Sequence, residues 1–234
     1  MPLLPSYEEL AGMIDHSLLR PELTEAQVEA GCELAARYRV KSVCVRPADV
    51  ELAAARLAGS GVLVTTVVGF PHGSQTTATK LFEAREALQA GAAELDAVLN
   101  IGKLLSHRFD YVEQELARLA EEAHAAGALL KVIFENAYLS DELKIEACRI
   151  SARARADFVK TSTGFGPGGA TDHDLRLMRQ HSPPWMRIKA AGGVRTLDRA
   201  LEVRALGCAR FGATATASIL DQLKARLATQ PTSV

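Results

Sequence analysis

The stretch Ala156-Asp157-Phe158-Val159-Lys160-Thr161-Ser162-Thr163-Gly164-Phe165-Gly166 carries an apolar run with a lysine in it, then breaks into hydroxyls and glycines. Read as a strand, it turns Phe158 and Lys160 to one face and Asp157 and Val159 to the other, because side chains alternate. A lysine at the end of a buried strand needs a reason, since its ammonium is costly to desolvate. Three reasons fit. The group is an amine of lowered pKa that attacks a carbonyl, a fixed cation that holds an anion, or an edge lysine that reaches back to water.

The same unit recurs along the chain. Short β-rich runs, centred near Asp15, Val43, Thr65, Ala97, Val132, Phe158, Ile188 and Phe211, alternate with helical segments. Ser6 to Glu9 and Thr24 to Gln27 match capping boxes, which predicts a short first helix and a second one running to about Tyr38. Further helices are expected up to Leu57, over Thr77 to Ala90, over Tyr111 to Ala126, from Ser140 to Ala154, after Thr171, from Thr196 to Leu206, and over Ser218 to Leu227. Strands are expected to include Trp185 to Ala190 and Cys208 to Phe211, the latter closed by Gly212. Strand followed by helix, eight times, is the rhythm of parallel βα units. The expectation is an α/β fold, a (β/α)8 TIM barrel with a short N-terminal helix, with residues 1–234 as a single domain. An open doubly wound sheet is the alternative.

Composition narrows the function. The 234 residues carry a formal net charge of −1, with basic and acidic residues interspersed, so neither nucleic acid nor an acidic membrane surface is an expected partner. The opening residues MPLLPSYEELAG lack the basic start and apolar centre of a signal peptide, and no run approaches the length of a membrane span. Cys32, Cys44, Cys148 and Cys208 show no zinc-like spacing, and a cytoplasmic protein with reduced thiols and no bound metal is expected.

Polar residues gather at the carboxyl ends of the expected strands, where barrel enzymes keep their active sites: Asp15, His16, Cys44, Arg46, Asp96, Asn100, Glu135, Lys160, Thr161 and Lys189. Lys160 and Lys189 lie on consecutive strands. Two amines in a poorly hydrated pocket disfavour each other's charge, and a neutral amine can form a Schiff base with an aldehyde or ketone. Asp96 either relays protons or only orients the lysines by a salt bridge. Lys131 is expected to complete a charge network with Asp96, with Asp15 and Glu135 in similar supporting roles. Cys44 is expected beside the mouth as a buried thiol. Gly164, Gly192 and Gly193, with hydroxyls from Thr163 and Thr214 and help from Arg195, suggest a phosphate site on the late loops, though glycines also serve tight turns. A phosphosugar isomerase or a non-catalytic phosphate-ligand binding protein on the same barrel are the competing functions.

Eight segments in order carry a resemblance: IDHSLL from Ile14, SVCVRP from Ser42, TTVVGFPHG from Thr65, ELDAVLNIG from Glu94, LKVIFE from Leu130, ADFVKTSTGF from Ala156, IKAAGGVRT from Ile188 and RFGAT from Arg210. On these the chain resembles the deoxyribose-phosphate aldolases. The resemblance implies a class I aldolase on a (β/α)8 barrel that interconverts 2-deoxy-D-ribose 5-phosphate with D-glyceraldehyde 3-phosphate and acetaldehyde, with no metal or organic cofactor. It implies Lys160 as the Schiff-base lysine, Lys189 as the lysine that lowers its pKa, and Asp96 as the proton-relay carboxylate. Gly164, Gly192, Gly193 and Thr214 match positions near the substrate phosphate, and a homodimer is implied. Departures are Ser17 for a frequent threonine, Asn136 after Glu135, Phe165 where some relatives have lysine, Ala215 where some have serine, and a tail without the tyrosine that some carry.

Overall fold

Residues 4–229 are described by a computed structural model; the tail from Gln230 onward lies outside the described residues. Eight parallel strands pair in sequence order, β1 with β2 through to β8 with β1, and close a barrel. They are β1 Ile14–Leu18, β2 Ser42–Val45, β3 Leu63–Val68, β4 Glu94–Val98, β5 Leu129–Ile133, β6 Phe158–Lys160, β7 Arg187–Ala190 and β8 Arg210–Ala213. The helices are α1 Tyr7–Ala11, α2 Glu25–Tyr38, α3 Val50–Leu57, α4 Thr77–Gln89, α5 Ile101–Leu105, α6 Phe109–Ala125, α7 Asp141–Arg153, α8 Asp172–His181, α9 Leu197–Ala205 and α10 Thr216–Ala228. The barrel, not the open doubly wound sheet, is the architecture.

Local chemistry explains the boundaries. Ser6 and Thr24 form reciprocal capping boxes with Glu9 and Gln27. Thr76, Ser140, Thr171 and Thr196 each accept a bond from the backbone three residues on and start α4, α7, α8 and α9. Three details differ from the sequence reading. Asn100 does not extend β4; its side chain accepts from the Lys103 N–H and opens α5. Trp185 and Met186 precede β7, because the Met186 N–H closes a turn onto the Pro183 carbonyl and Trp185 stays exposed. Gly212 lies inside β8 opposite Asp15 rather than ending it.

Alternation along each strand separates two environments. Val43, Val64, Leu95, Val132, Val159, Ile188 and Phe211 join the apolar cluster that packs sheet against helices. The alternate residues turn to the axis and include Asp15, Glu94, Asp96, Lys131, Lys160, Lys189 and Arg210. No helix among the described residues is long and apolar enough to cross a membrane.

One buried ion pair clamps the helical layer to the strand that carries Asp96. Lys80 Nζ on α4 lies 2.6 Å from Glu115 Oε1 on α6 and donates to the Val98 carbonyl at 2.8 Å, and both side chains are fully buried. Removing one partner strands a buried charge. Lys80→Met is therefore expected to cost about 3–5 kcal/mol, read as a fall in the urea unfolding midpoint. Lys80→Met/Glu115→Leu should recover most of that loss; equal loss in the single and double variants would mean that the pair is not the clamp.

Candidate active site

The axis of the barrel holds a closed set of ionisable side chains. Asp96 on β4 is the hub. Lys131 on β5 donates to its Oδ1 at 2.8 Å, and Lys160 on β6 and Lys189 on β7 both donate to its Oδ2 at 2.7 Å. Lys189 also sits 2.5 Å from Asp15 Oδ2 on β1. Below this layer, Arg210 on β8 donates to Asp15 Oδ1 and to Glu94 Oε2, each at 2.7 Å, and Lys131 reaches Glu94 Oε2 at 2.6 Å. Ser42 and Thr65 hydroxyls add bonds of 2.8 Å to Asp15 and Glu94. Phe158 underlies the set, with the Arg187 guanidinium 4.0 Å from its ring centre on β7.

Burial and charge set the protonation states. Burial would push the Asp15, Glu94 and Asp96 carboxyls up, but the surrounding cations outweigh it and hold all three below the ordinary carboxylate range. Lys160 goes the other way from a normal surface lysine. Its burial, and then the Lys189 charge, pull it down, with Asp96 offsetting only part. Burial pulls on Lys189 as well, but Asp15 and Asp96 raise it above an ordinary lysine. One lysine is thus raised above the ordinary range beside another that is lowered below it. Burial pushes the Cys44 thiol up to about 11, so it sits at this mouth as a neutral thiol.

Above the lysines opens a cavity of about 530 Å³. Asp15, Cys44, Lys160 and Lys189 line its floor, and Thr163, Gly164, Gly192, Gly193, Arg195 and Thr214 line one wall. Gly164 and Gly193 have φ of +88° and +94° with nothing within 4 Å of the side-chain position, so their backbone faces open space. Gly192 is required by contact: a Cβ there would come within 2.8 Å of Gly169 Cα, where the two loops touch. Thr161 fastens the lysine strands together, donating to the Ala191 carbonyl and accepting from the Ala191 N–H, both at 3.0 Å.

Not every expected residue reaches the cavity. Asp96 and Lys131 lie under the floor, fully buried, and are not among the residues that line the cavity. Glu135 does not join the axial charges. It sits past the end of β5 in the left-handed region, φ 56°, and takes bonds from the Thr163 N–H at 3.2 Å and from the Thr163 hydroxyl. That hydroxyl is thereby committed to Glu135 and to the Phe165 N–H. His16 points outward to Thr216 on α10 at 2.9 Å, and burial lowers it to about 4. Arg46 turns to Asp49 at 2.6 Å. Phe165 stacks edge-on against Phe70 at 5.3 Å and walls the cavity off from a smaller groove of about 300 Å³, lined by Leu105 and Tyr138.

Sequence reasoning missed Glu94 and Arg210. Glu94 was legible as the residue two before Asp96 on the same strand face. Arg210 had a weaker signal, a cation two before Gly212 on a short strand. Arg20, which lines the cavity rim, was also missed. Among the described residues, no group of three or more His, Cys, Asp or Glu is arranged to hold a metal ion.

Comparison with known proteins agrees with this geometry. A model of the DeoC/LacD family aldolases matches residues 10–215. The chain is 53% identical over 221 residues to a deoxyribose-phosphate aldolase of Rhodopirellula baltica, covering 94% of this chain and 92% of that one. It is 46% identical to the deoxyribose-phosphate aldolase of Clostridium perfringens, covering 92% and 95%. The solved structure of the tetrameric deoxyribose phosphate aldolase from Aeropyrum pernix superposes with a TM-score of 0.88 at 32% identity, covering 95% of this chain and 94% of that one.

The lowered pKa of Lys160 has a measurable sign. An unfolded lysine titrates near about 10.4. Between the lowered folded value and that point the unfolded chain binds more protons, so this group's contribution to stability rises with pH. Lys160→Met should therefore be more stable than the parent at about pH 7, and its advantage should shrink towards about pH 9.5. Urea midpoints at the two pH values test this, and a constant difference would mean that Lys160 folds with its proton on.

Proposed function

The chain belongs to the DeoC/LacD family of aldolases, and from that premise we propose that it is a deoxyribose-phosphate aldolase. It reversibly cleaves 2-deoxy-D-ribose 5-phosphate to D-glyceraldehyde 3-phosphate and acetaldehyde through a Schiff base on Lys160. The observation that supports this most is the pair of lysine nitrogens on one oxygen, Lys160 and Lys189 each 2.7 Å from Asp96 Oδ2.

The neutral Lys160 amine adds to C1 of the open-chain sugar and loses water to give an iminium. Asp96, through a water, takes the C3 hydroxyl proton as the C2–C3 bond breaks. The electron pair of that bond moves into the iminium and leaves an enamine, while C3 becomes the aldehyde of glyceraldehyde 3-phosphate. Protonation of the enamine at C2 and hydrolysis release acetaldehyde and free Lys160. Lys189 keeps Lys160 reactive and exchanges protons with Asp96. The electron sink is the iminium itself. The phosphate end lies against the Gly164, Gly192 and Gly193 backbone with Thr214, and Arg195 adds positive charge at that wall. Thr163 serves there as a brace, since its hydroxyl is held by Glu135.

The whole chain is proposed to act as one domain, in the cytoplasm, as a homodimer, with small phosphorylated sugars and aldehydes as its only substrates. Light scattering on the purified protein distinguishes the dimer from a tetramer like that of the Aeropyrum pernix relative.

Acetaldehyde and borohydride should leave an ethyl group on Lys160, located by peptide mass mapping, and Lys160→Leu should abolish both labelling and cleavage. An isomerase or a binding protein would give no adduct. Asp96→Asn should lower kcat by about 10²–10⁴-fold; a loss smaller than tenfold would remove Asp96 from the proton relay.

A further inference from the structure

The charges at the barrel axis do not balance. Three carboxylates, Asp15, Glu94 and Asp96, face four cationic side chains, Lys131, Lys160, Lys189 and Arg210. All seven are buried, and Lys160 and Arg210, the most exposed, show only 4% of their side chains. Among the described residues, no further charged side chain forms an ion pair with the set. Cys44, the remaining titratable group beside Lys160, is held neutral, and the Ser42 and Thr65 hydroxyls carry none. A net charge in a dry interior is expensive, so one proton is surplus.

The contacts say which one. Arg210 touches two carboxylates, Asp15 and Glu94. Lys131 touches Glu94 and Asp96 and lies 3.9 Å from Asp15, and Lys189 touches Asp15 and Asp96. Lys160 touches one, Asp96, and shares that oxygen with Lys189. An arginine does not release its proton in a protein, so the surplus must be shed by a lysine, and Lys160 is the lysine with least to hold it.

We propose that Arg210 and Glu94, a layer below the cavity and touching no substrate, are positioning residues that set the charge balance of the barrel axis and so keep Lys160 neutral. The inference rests on the reading of Lys160 as the Schiff-base lysine. Arg210 occupies Asp15 and Glu94 permanently, and that leaves too little negative charge for all three lysines. Groups facing Lys160 are Asp96 from β4, Lys189 from β7 and Cys44 from β2; those facing Arg210 are Asp15 from β1 and Glu94 from β4, with Phe158 from β6 and Ser42 from β2 as the neutral neighbours.

The test is the pH midpoint of borohydride trapping of Lys160 with acetaldehyde. Arg210→Met removes a cation and leaves three lysines for three carboxylates, so the midpoint should rise by about one pH unit. Glu94→Gln removes an anion at almost constant shape, so the midpoint should fall by a similar amount. The double variant restores a surplus of one proton and should return near the parent value. Arg210→Lys keeps the charge and should move the midpoint least. A purely structural role would shift Arg210→Met and Glu94→Gln in the same direction, or lower the trapping yield without moving the midpoint, and either result overturns the proposal. If Arg210→Met does not fold, the sign of the Glu94→Gln shift decides alone. Failure to label Lys160 in the parent protein would instead overturn the Schiff-base reading, so the two failures are distinct.

Discussion

Asp96 binds three lysine side chains in a space that excludes water, and the geometry of the site follows from that one arrangement. A carboxylate removed from water costs several kcal/mol, and so does each lysine. The cost is offset only if the partners arrive at hydrogen-bond distance and from fixed directions. Strands supply those directions. The register sets Asp96 beside Lys131, and Lys160 beside Lys189, so neighbouring strands present opposite or paired charges to the same axis. Burial of an ion network is weak evidence for stability, since well-packed apolar side chains would do as well. The barrel interior of this chain is charged where branched apolar residues usually fill the layers. Chemistry is the better account of that choice.

The architecture was legible because it depends on local rules. Capping boxes at Ser6 and Thr24, and threonine caps at Thr171 and Thr196, marked helix starts to within a residue. Alternation along Ala156 to Lys160 set Lys160 inward and Val159 outward, which is how they lie. Errors came where a longer-range bond decides a boundary. Asn100 continues an apolar run in sequence, yet its side chain caps α5. His16 sits at a strand end like Asp15, but alternation carries it to the outer face and Thr216. Arg210 is the clearest case. Its partner Asp15 lies 195 positions away, and nothing near Arg210 in sequence announces that it is buried. A charge balance is a property of the assembled barrel, and no single segment contains it.

The two ends of the cavity divide recognition by chemistry. One wall is backbone, from Gly164, Gly192 and Gly193, with Arg195 beside it. That surface suits an anion because N–H groups can approach without an intervening Cβ. On the other side, Phe165 packs on Phe70. The groove beyond it is bordered by Leu105, Tyr138 and Pro71, with His72 and Glu135 in its lining. Glu135 reaches the site indirectly, by holding Thr163 and so the loop that begins at Gly164.

Division of labour between the two lysines then follows from position. Lys189 lies between Asp15 and Asp96 and gains from both, so its proton is secured. Lys160 gains from Asp96 alone and meets Lys189's charge across the same oxygen. Coulomb interaction at about 4 Å in a protein-like medium is worth about 4 kcal/mol, enough for one added carboxylate contact to decide which amine stays charged. The nucleophile must also face the cavity, and Lys131, although a lysine on the same axis, lies beneath the floor with Glu94. Among the described residues, a lysine lowered in pKa that lines the cavity beside a raised one is found at Lys160. The Thr161 bonds to Ala191 keep that adjacency, because they lock the ends of β6 and β7 just above the two side chains.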